Sequence, residues 1–319
     1  MKKIILDCDP GHDDAIAMML ALGNPDIDLL AVTTVAGNHT VDRVSRNARA
    51  VATVCGAGGL TIAAGAAGPL VRPLRTAADI HGDSGMDGPA LPEPTVPLDP
   101  RHSVDVIIET VMSQESGTVT LVPTAPLTNI AMAVRKEPRL AGRVAEVVLM
   151  GGGYTGGNVT AAAEFNILVD PEAAQVVFHA GWPVRMVPLE VTHQALAVPA
   201  VRERIAAIGT PVARFVDELL DFFGQMYASA QGFEFPPVHD PVAVAAVIDP
   251  ALVPTRPAQV NVELTGTHTL GMTVADFDLR GGTTPNVQVG VGLRADAFWD
   301  LVVQALSRIG DGPAVPPAN

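Results

Sequence analysis

Five short apolar runs most narrow what this chain can fold into. They are KIILD (3–7), LLAVTTVAG (29–37), TVTLVPT (118–124), EVVLMGG (146–152) and VRMVPLE (184–190). Each is rich in β-branched residues and apolar on both faces, as strands covered by helices on either side of a sheet are. Helical stretches lie between them. DDAIAMMLALGN (13–24) has acids in its first turn and a Gly-Asn stop, and VDRVSRNARAVATVCG (41–56) ends on glycine. APLTNIAMAVRKEP (125–138) ends at Glu-Pro, and DPEAAQVVFHAG (170–181) runs from Asp-Pro to glycine. This alternation predicts an α/β fold with an open, mostly parallel sheet flanked by helices. A single domain over 1–310 and a disordered tail over 311–319 are expected. Two stretches, 76–94 and 224–241, lack periodicity and read as long loops, which are usually functional or disordered.

Composition removes several classes of partner. The formal net charge is −14, which provides no field for a nucleic-acid backbone or an anionic membrane. The two cysteines, Cys8 and Cys55, make neither a disulfide framework nor a cysteine metal site. MKKIIL opens like a signal peptide, but Asp7 and Asp9 interrupt it, and no uncharged apolar run reaches membrane-spanning length. A soluble cytoplasmic protein acting on a small molecule is the expectation.

The chemistry concentrates in DCDPGHDD, where Asp7, Asp9, Asp13 and Asp14 fall within eight residues. Asp7 and Asp9 end the first strand and Asp13 and Asp14 open the helix, at the sheet edge where open α/β folds bind ligands. Acids in a first helical turn are ordinary N-terminal partners, but that does not account for the pair at the strand end. Four carboxylates so close repel unless a cation neutralises them. Oxygen donors without cysteine or clustered histidine point to Ca²⁺ or Mg²⁺ rather than zinc. Other strand ends add Asn38, Thr124 and the segment carrying Asn158, Glu164 and Asn166, and His239-Asp240 precedes a further helical run.

At this level of detail the chain resembles the inosine–uridine-preferring nucleoside hydrolases. The resemblance rests on DCDPGHDDA (7–15), TTVAGN (33–38), HGDSGMDGP (81–89), LVPTAPLTNIA (121–131), GGGYTGGN (151–158), AEFNILVDPEAA (163–174) and HDPVAV (239–244), and extends to WDLVVQAL (299–306). It implies a Rossmann-like nucleoside hydrolase fold and Ca²⁺-dependent cleavage of the N-glycosidic bond of ribonucleosides to ribose and free base. The implied metal ligands are Asp9, Asp14, the Thr124 carbonyl and Asp240, with Asp7 in support. Asp9 matches the general base and His239 the leaving-group acid. Asp13, Asn38 and Asn166 match residues that hold the 2′ and 3′ hydroxyls, and Asn158 and Glu164 the grip on the 5′-hydroxyl. His81 and Tyr227 match residues near the base, and Phe165 flanks the sugar. A homodimer or homotetramer is implied as well. His12 and the loose YTGGN segment depart from the family pattern, and His12 is read as lining the turn.

The physics agrees with that assignment. Departure of a base builds positive charge on the ribose, and surrounding carboxylates stabilise it. A Ca²⁺ ion fixes water and vicinal hydroxyls together, and an imidazole assists the departing base. Two alternatives are weighed. Asp-x-Asp after a first strand also opens haloacid-dehalogenase-type Mg²⁺ phosphatases, but Pro10-Gly11-His12-Asp13 follows here. A non-catalytic nucleoside- or Ca²⁺-binding protein is the other, although every matched group is present.

Overall fold

The computed structural model describes residues 1–309, so the expected tail at 311–319 lies outside the described residues. Nine strands form one sheet: β1 (Lys2–Cys8), β2 (Ile27–Thr34), β3 (Ile62–Ala64), β4 (Val119–Pro123), β5 (Glu146–Met150), β6 (Val184–Val187), β7 (Thr255–Val262), β8 (Thr273–Asp276) and β9 (Val287–Gly290). Their order is β3-β2-β1-β4-β5-β6-β9-β7-β8. Every pairing from β3 through β9 is parallel, and only β7 runs antiparallel, against both β9 and β8. The mostly parallel α/β sheet is as expected. The antiparallel edge was not legible in the sequence, because half-exposed strands such as β7 lack a continuous apolar run.

The central strands are sealed on both faces. Ile4, Leu6 and Cys8 of β1 face one core layer with the helix His12–Gly23 and the helix Ala295–Arg308, while Ile5 faces the other. Successive side chains of a strand point to opposite faces, so one strand serves both layers. His12–Gly23 is buried almost all round, as a helix between sheet and further helices must be. Gly23 permits this closeness, since a Cβ there would lie 2.2 Å from the Ala305 carbonyl oxygen.

Two expectations need correction. The stretch 224–241 is not one long loop: the 21-residue helix Pro211–Gln231 runs through its first half and carries Tyr227 on its buried side. Its amphipathic spacing begins well before residue 224, so reading the stretch alone hid it. The run VRMVPLE also ends as strand at Val187, and the short helix Leu189–Thr192 takes over. The 76–94 stretch remains loop apart from one turn of helix, Ala78–His81.

The chain reverses its direction of travel across the sheet at β1. From there β2 and β3 build one side and β4, β5 and β6 the other, which opens a crevice beyond the carboxyl ends of β1 and β4. Asp7 pairs in register with Thr33 of β2 and Pro123 of β4, which aligns the three strand ends that follow.

Candidate active site

Asp7, Asp9, Asp13, Asp14 and Asp240 are buried at this crevice, each 5 % exposed or less. Carboxylate oxygens of Asp13, Asp14 and Asp240 lie within 4.8 Å of one another. Asp14 is fixed at the start of its helix, where Oδ2 accepts the Gly11 N–H at 3.1 Å and Oδ1 accepts the Thr124 hydroxyl at 2.9 Å. Asp9 Oδ2 accepts the Asn38 N–H at 2.6 Å, whereas Oδ1 is buried without a partner. Burial, then the neighbouring Asp14 carboxylate, holds Asp9 well above the ordinary carboxylate range, although the Asn38 N–H opposes the shift. Burial and then Asp13, Asp14 and Asp9 do the same to Asp240. An unpartnered carboxylate oxygen beside three converging acids is a donor set suited to a hard cation.

Asp7 lies behind this group. Its Oδ1 accepts from Thr33 Oγ1 at 2.6 Å and Asn129 Nδ2 at 2.8 Å, and burial raises it to about 7. Cys8, on the same strand, is fully buried, and burial followed by the surrounding carboxylates pushes its thiol well above the usual range. It is packed into the core.

A second group lines the cavity opposite the acids. Glu164 caps the helix Phe165–Val169: its carboxylate accepts the N–H groups of Asn166 at 2.8 Å, Ile167 at 3.0 Å and Gly152 at 2.9 Å. Burial raises its pKa against these three donors. Asn166 donates to the Thr124 carbonyl at 3.0 Å, joining the β4 and β5 ends. Asn158 Oδ1 accepts the Phe165 N–H at 3.0 Å, which ties the GGN segment to the same helix. Asn38 donates from Nδ2 to the Asp9 carbonyl and to Asp14 Oδ2, both at 3.2 Å.

The third wall is aromatic. His239 Nε2 lies 2.8 Å from the Tyr227 hydroxyl and Nδ1 lies 2.7 Å from Thr192 Oγ1. The His239 N–H donates to Asp13 Oδ2 at 3.2 Å, linking this wall to the acids. Burial lowers His239 to about 3, with His193 adding a smaller push, so the ring is neutral at pH 7 rather than poised near neutrality. His81 also lines the cavity and stacks near Phe223, at 5.6 Å between ring centres, and Phe223 in turn packs against Tyr227. The cavity enclosed by these walls is about 210 Å³, and Asp13, Asn38, Asn158, Phe165, Tyr227 and Asp240 all reach it.

The family model for inosine-uridine preferring nucleoside hydrolases matches residues 4–300. The chain belongs to this family. Family membership makes it an N-glycosyl hydrolase of the metal-dependent kind, and sets aside the phosphatase alternative. Among curated relatives of this nucleoside hydrolase, the inosine-uridine preferring nucleoside hydrolase of Crithidia fasciculata is 55 % identical, over 97 % of this chain and 99 % of that one. The pyrimidine-specific ribonucleoside hydrolase RihA of Enterobacter sp. (strain 638) is 45 % identical, over 96 % of this chain and 97 % of its own length. Among solved structures, the purine-preferring ribonucleoside hydrolase from Gardnerella vaginalis superposes with a TM-score of 0.90 at 33 % identity, covering 97 % of this chain and 99 % of that one.

Several residues of this hydrolase escaped sequence reasoning. Thr33 and Asn129 partner Asp7, and Thr192 partners His239, but hydroxyls and amides at strand ends and in short helices carry no distinctive signal. Gly37 is needed for close approach, since a Cβ there would lie 2.0 Å from Asp9 Oδ2. Gly11 plays the same part for His81, 2.4 Å from where its Cβ would stand. His12 does more than line the turn: its Nδ1 is 3.0 Å from His81 Nδ1.

Proposed function

We propose that this nucleoside hydrolase cleaves the N-glycosidic bond of ribonucleosides of the inosine and uridine type, giving ribose and free base in a Ca²⁺-dependent reaction. The observation that carries the reading is the unpartnered, fully buried Asp9 Oδ1 beside the converging carboxylates of Asp13, Asp14 and Asp240. Asp9, Asp14, Asp240 and the Thr124 carbonyl would hold the ion. Bound there, Ca²⁺ polarises water and orients vicinal ribose hydroxyls.

In this reading Asp9 takes the proton of the attacking water, since its Oδ1 has no other partner. Asp13, Asn38 and Asn166 hold the 2′ and 3′ hydroxyls. Asn158 and Glu164 hold the 5′-hydroxyl, with Glu164 kept rigid by its three backbone donors. The buried acids stabilise the oxocarbenium-like ribose electrostatically. Phe165 flanks the sugar. His239 assists the departing base through the Tyr227 hydroxyl on its Nε2, and His81 lies against the base. The family likeness also supports a homodimer or homotetramer, a cytoplasmic location and a single domain over 1–310. No helix among the described residues is long and apolar enough to cross a membrane.

The test is reducing-sugar release from inosine, uridine, adenosine, guanosine and cytidine, with and without a chelator. Release suppressed by the chelator and restored by Ca²⁺ supports the reading. No release from any of them by folded, Ca²⁺-supplied protein would overturn it.

A further inference from the structure

We propose that His12 is a positioning residue: it holds His81 in the tautomer whose Nε2 is an unprotonated acceptor facing the cavity, where it receives a hydrogen bond from a donor on the nucleobase. The inference rests on the nucleoside hydrolase reading for the nature of the ligand, and on hydrogen-bond polarity for everything else.

His12 Nε2 lies 2.8 Å from the Asp87 carbonyl oxygen. A carbonyl only accepts, so Nε2 carries the hydrogen. A neutral imidazole has one N–H, so His12 Nδ1 is a bare lone pair. That lone pair faces His81 Nδ1 at 3.0 Å, and the hydrogen between them belongs to His81. His81 Nε2 is then bare. The His12 backbone N–H also lies 3.5 Å from His81 Nδ1, but that is the outer limit of a hydrogen bond and the 3.0 Å contact governs.

The surroundings keep both rings neutral and in register. His12 is 0 % exposed and stacks on Phe222 and Phe223, at 5.3 and 5.1 Å between ring centres. Neither ring hydrogen-bonds a carboxylate among the described residues, and a buried imidazolium without such a partner is costly. The Asp87 carboxylate is occupied by the N–H groups of Asp83 and Ser84 and by the Ser84 hydroxyl. Turning the His12 ring over would replace both nitrogens by carbons and lose both contacts. Gly11 leaves room for the His81 ring edge. His81 Nε2 has no protein partner among the described residues and is not sealed off, while His81 itself lines the cavity. A bare acceptor there cannot protonate a departing base. It can accept from a lactam N–H or an exocyclic amino group, so it orients the base and leaves the acid role to the Tyr227–His239 side.

The test has two readouts on the full-length protein. The first is the ring ¹⁵N spectrum, with His81 assigned through His81→Asn. His81 is expected as the Nδ1–H tautomer in the unsubstituted protein, and this state should be lost in His12→Phe, which keeps the stack but no nitrogen. The second compares kcat/KM for uridine with that for p-nitrophenyl riboside, whose leaving group offers no donor. His12→Phe should lower the ratio about tenfold, mainly through the KM for uridine, and His12→Gln should restore part of it. An Nε2–H tautomer of His81 in the unsubstituted protein, or an unchanged substrate ratio in folded His12→Phe, overturns the proposal. If no nucleoside is hydrolysed at all, the function proposed above fails while the ¹⁵N spectrum still decides the tautomer.

Discussion

The Tyr227 hydroxyl lies 2.8 Å from Nε2 of His239, and with Thr192 on Nδ1 both nitrogens of that buried ring are hydrogen-bonded. A neutral, fully partnered imidazole acts through its partners. Tyr227→Phe and His239→Ala should therefore both slow uridine hydrolysis, by about 10²-fold, because a positioned proton donor is worth that much or more. Both should affect p-nitrophenyl riboside far less, since nitrophenolate leaves without help. Steady-state kinetics on the two substrates checks this, and equal losses on both would remove the pair from leaving-group assistance.

Asp9 and Gly37 form a second pair. Asp9→Ala should reduce kcat by about 10³-fold or more with the fold intact, as loss of a general base does. Gly37→Ala should also depress activity strongly, since its Cβ would lie 2.0 Å from Asp9 Oδ2 and displace the carboxylate. Circular dichroism alongside turnover separates site damage from unfolding. Full activity in Gly37→Ala would show that the Asp9 position is not critical.

The acidic cluster sets a pH dependence. Burial first, then Asp14, raises Asp13 from 3.8 to about 7, and burial raises Asp7 over the same interval. A carboxyl whose folded pKa is raised binds more protons folded than unfolded, so stability falls as pH rises through that window. The buried histidines oppose this below their unfolded pKa of 6.5, His12 being lowered to about 4 and His239 to about 3, but the acids raised by burial outnumber them, so the metal-free Tm should still fall towards about pH 7. Added Ca²⁺ should lift Tm most above the window, where the carboxylates are ionised. Calorimetric scans across pH, with chelator and with Ca²⁺, read both effects. A metal-free Tm that rises through the window would contradict the cluster's role.

Asn129 partners Asp7 from a fully buried position. Asn129→Ala leaves a buried carboxylate oxygen short of one donor, at a cost of about 2 kcal/mol. Urea unfolding should show the loss as a lower midpoint with an unchanged slope.

The acids of DCDPGHDD were legible because their density at a strand end has no bland explanation. The amides and histidines were harder. Asn158, Glu164 and Asn166 stand apart from Asp9 by well over a hundred residues; their place after a strand put them at the same sheet edge, but only the family likeness implied what each does. Tyr227, which the resemblance implies lies near the base, was placed on a loop, whereas it projects from the buried side of Pro211–Gln231. His12 was read only as lining the turn, because its partner, His81, is distant in sequence.

The sequence by itself determined the layered α/β architecture and the site's acidic heart, because hydrophobic runs, helix stops and local charge density act over a few residues. Only the tertiary structure decided which oxygen of Asp9 is unpartnered, that both nitrogens of the buried His239 ring are hydrogen-bonded, and that His12 faces His81. Those depend on burial and on contacts between distant segments, and neither is written in local spacing. The switch of chain direction between β1 and β4 brings those segments to one crevice.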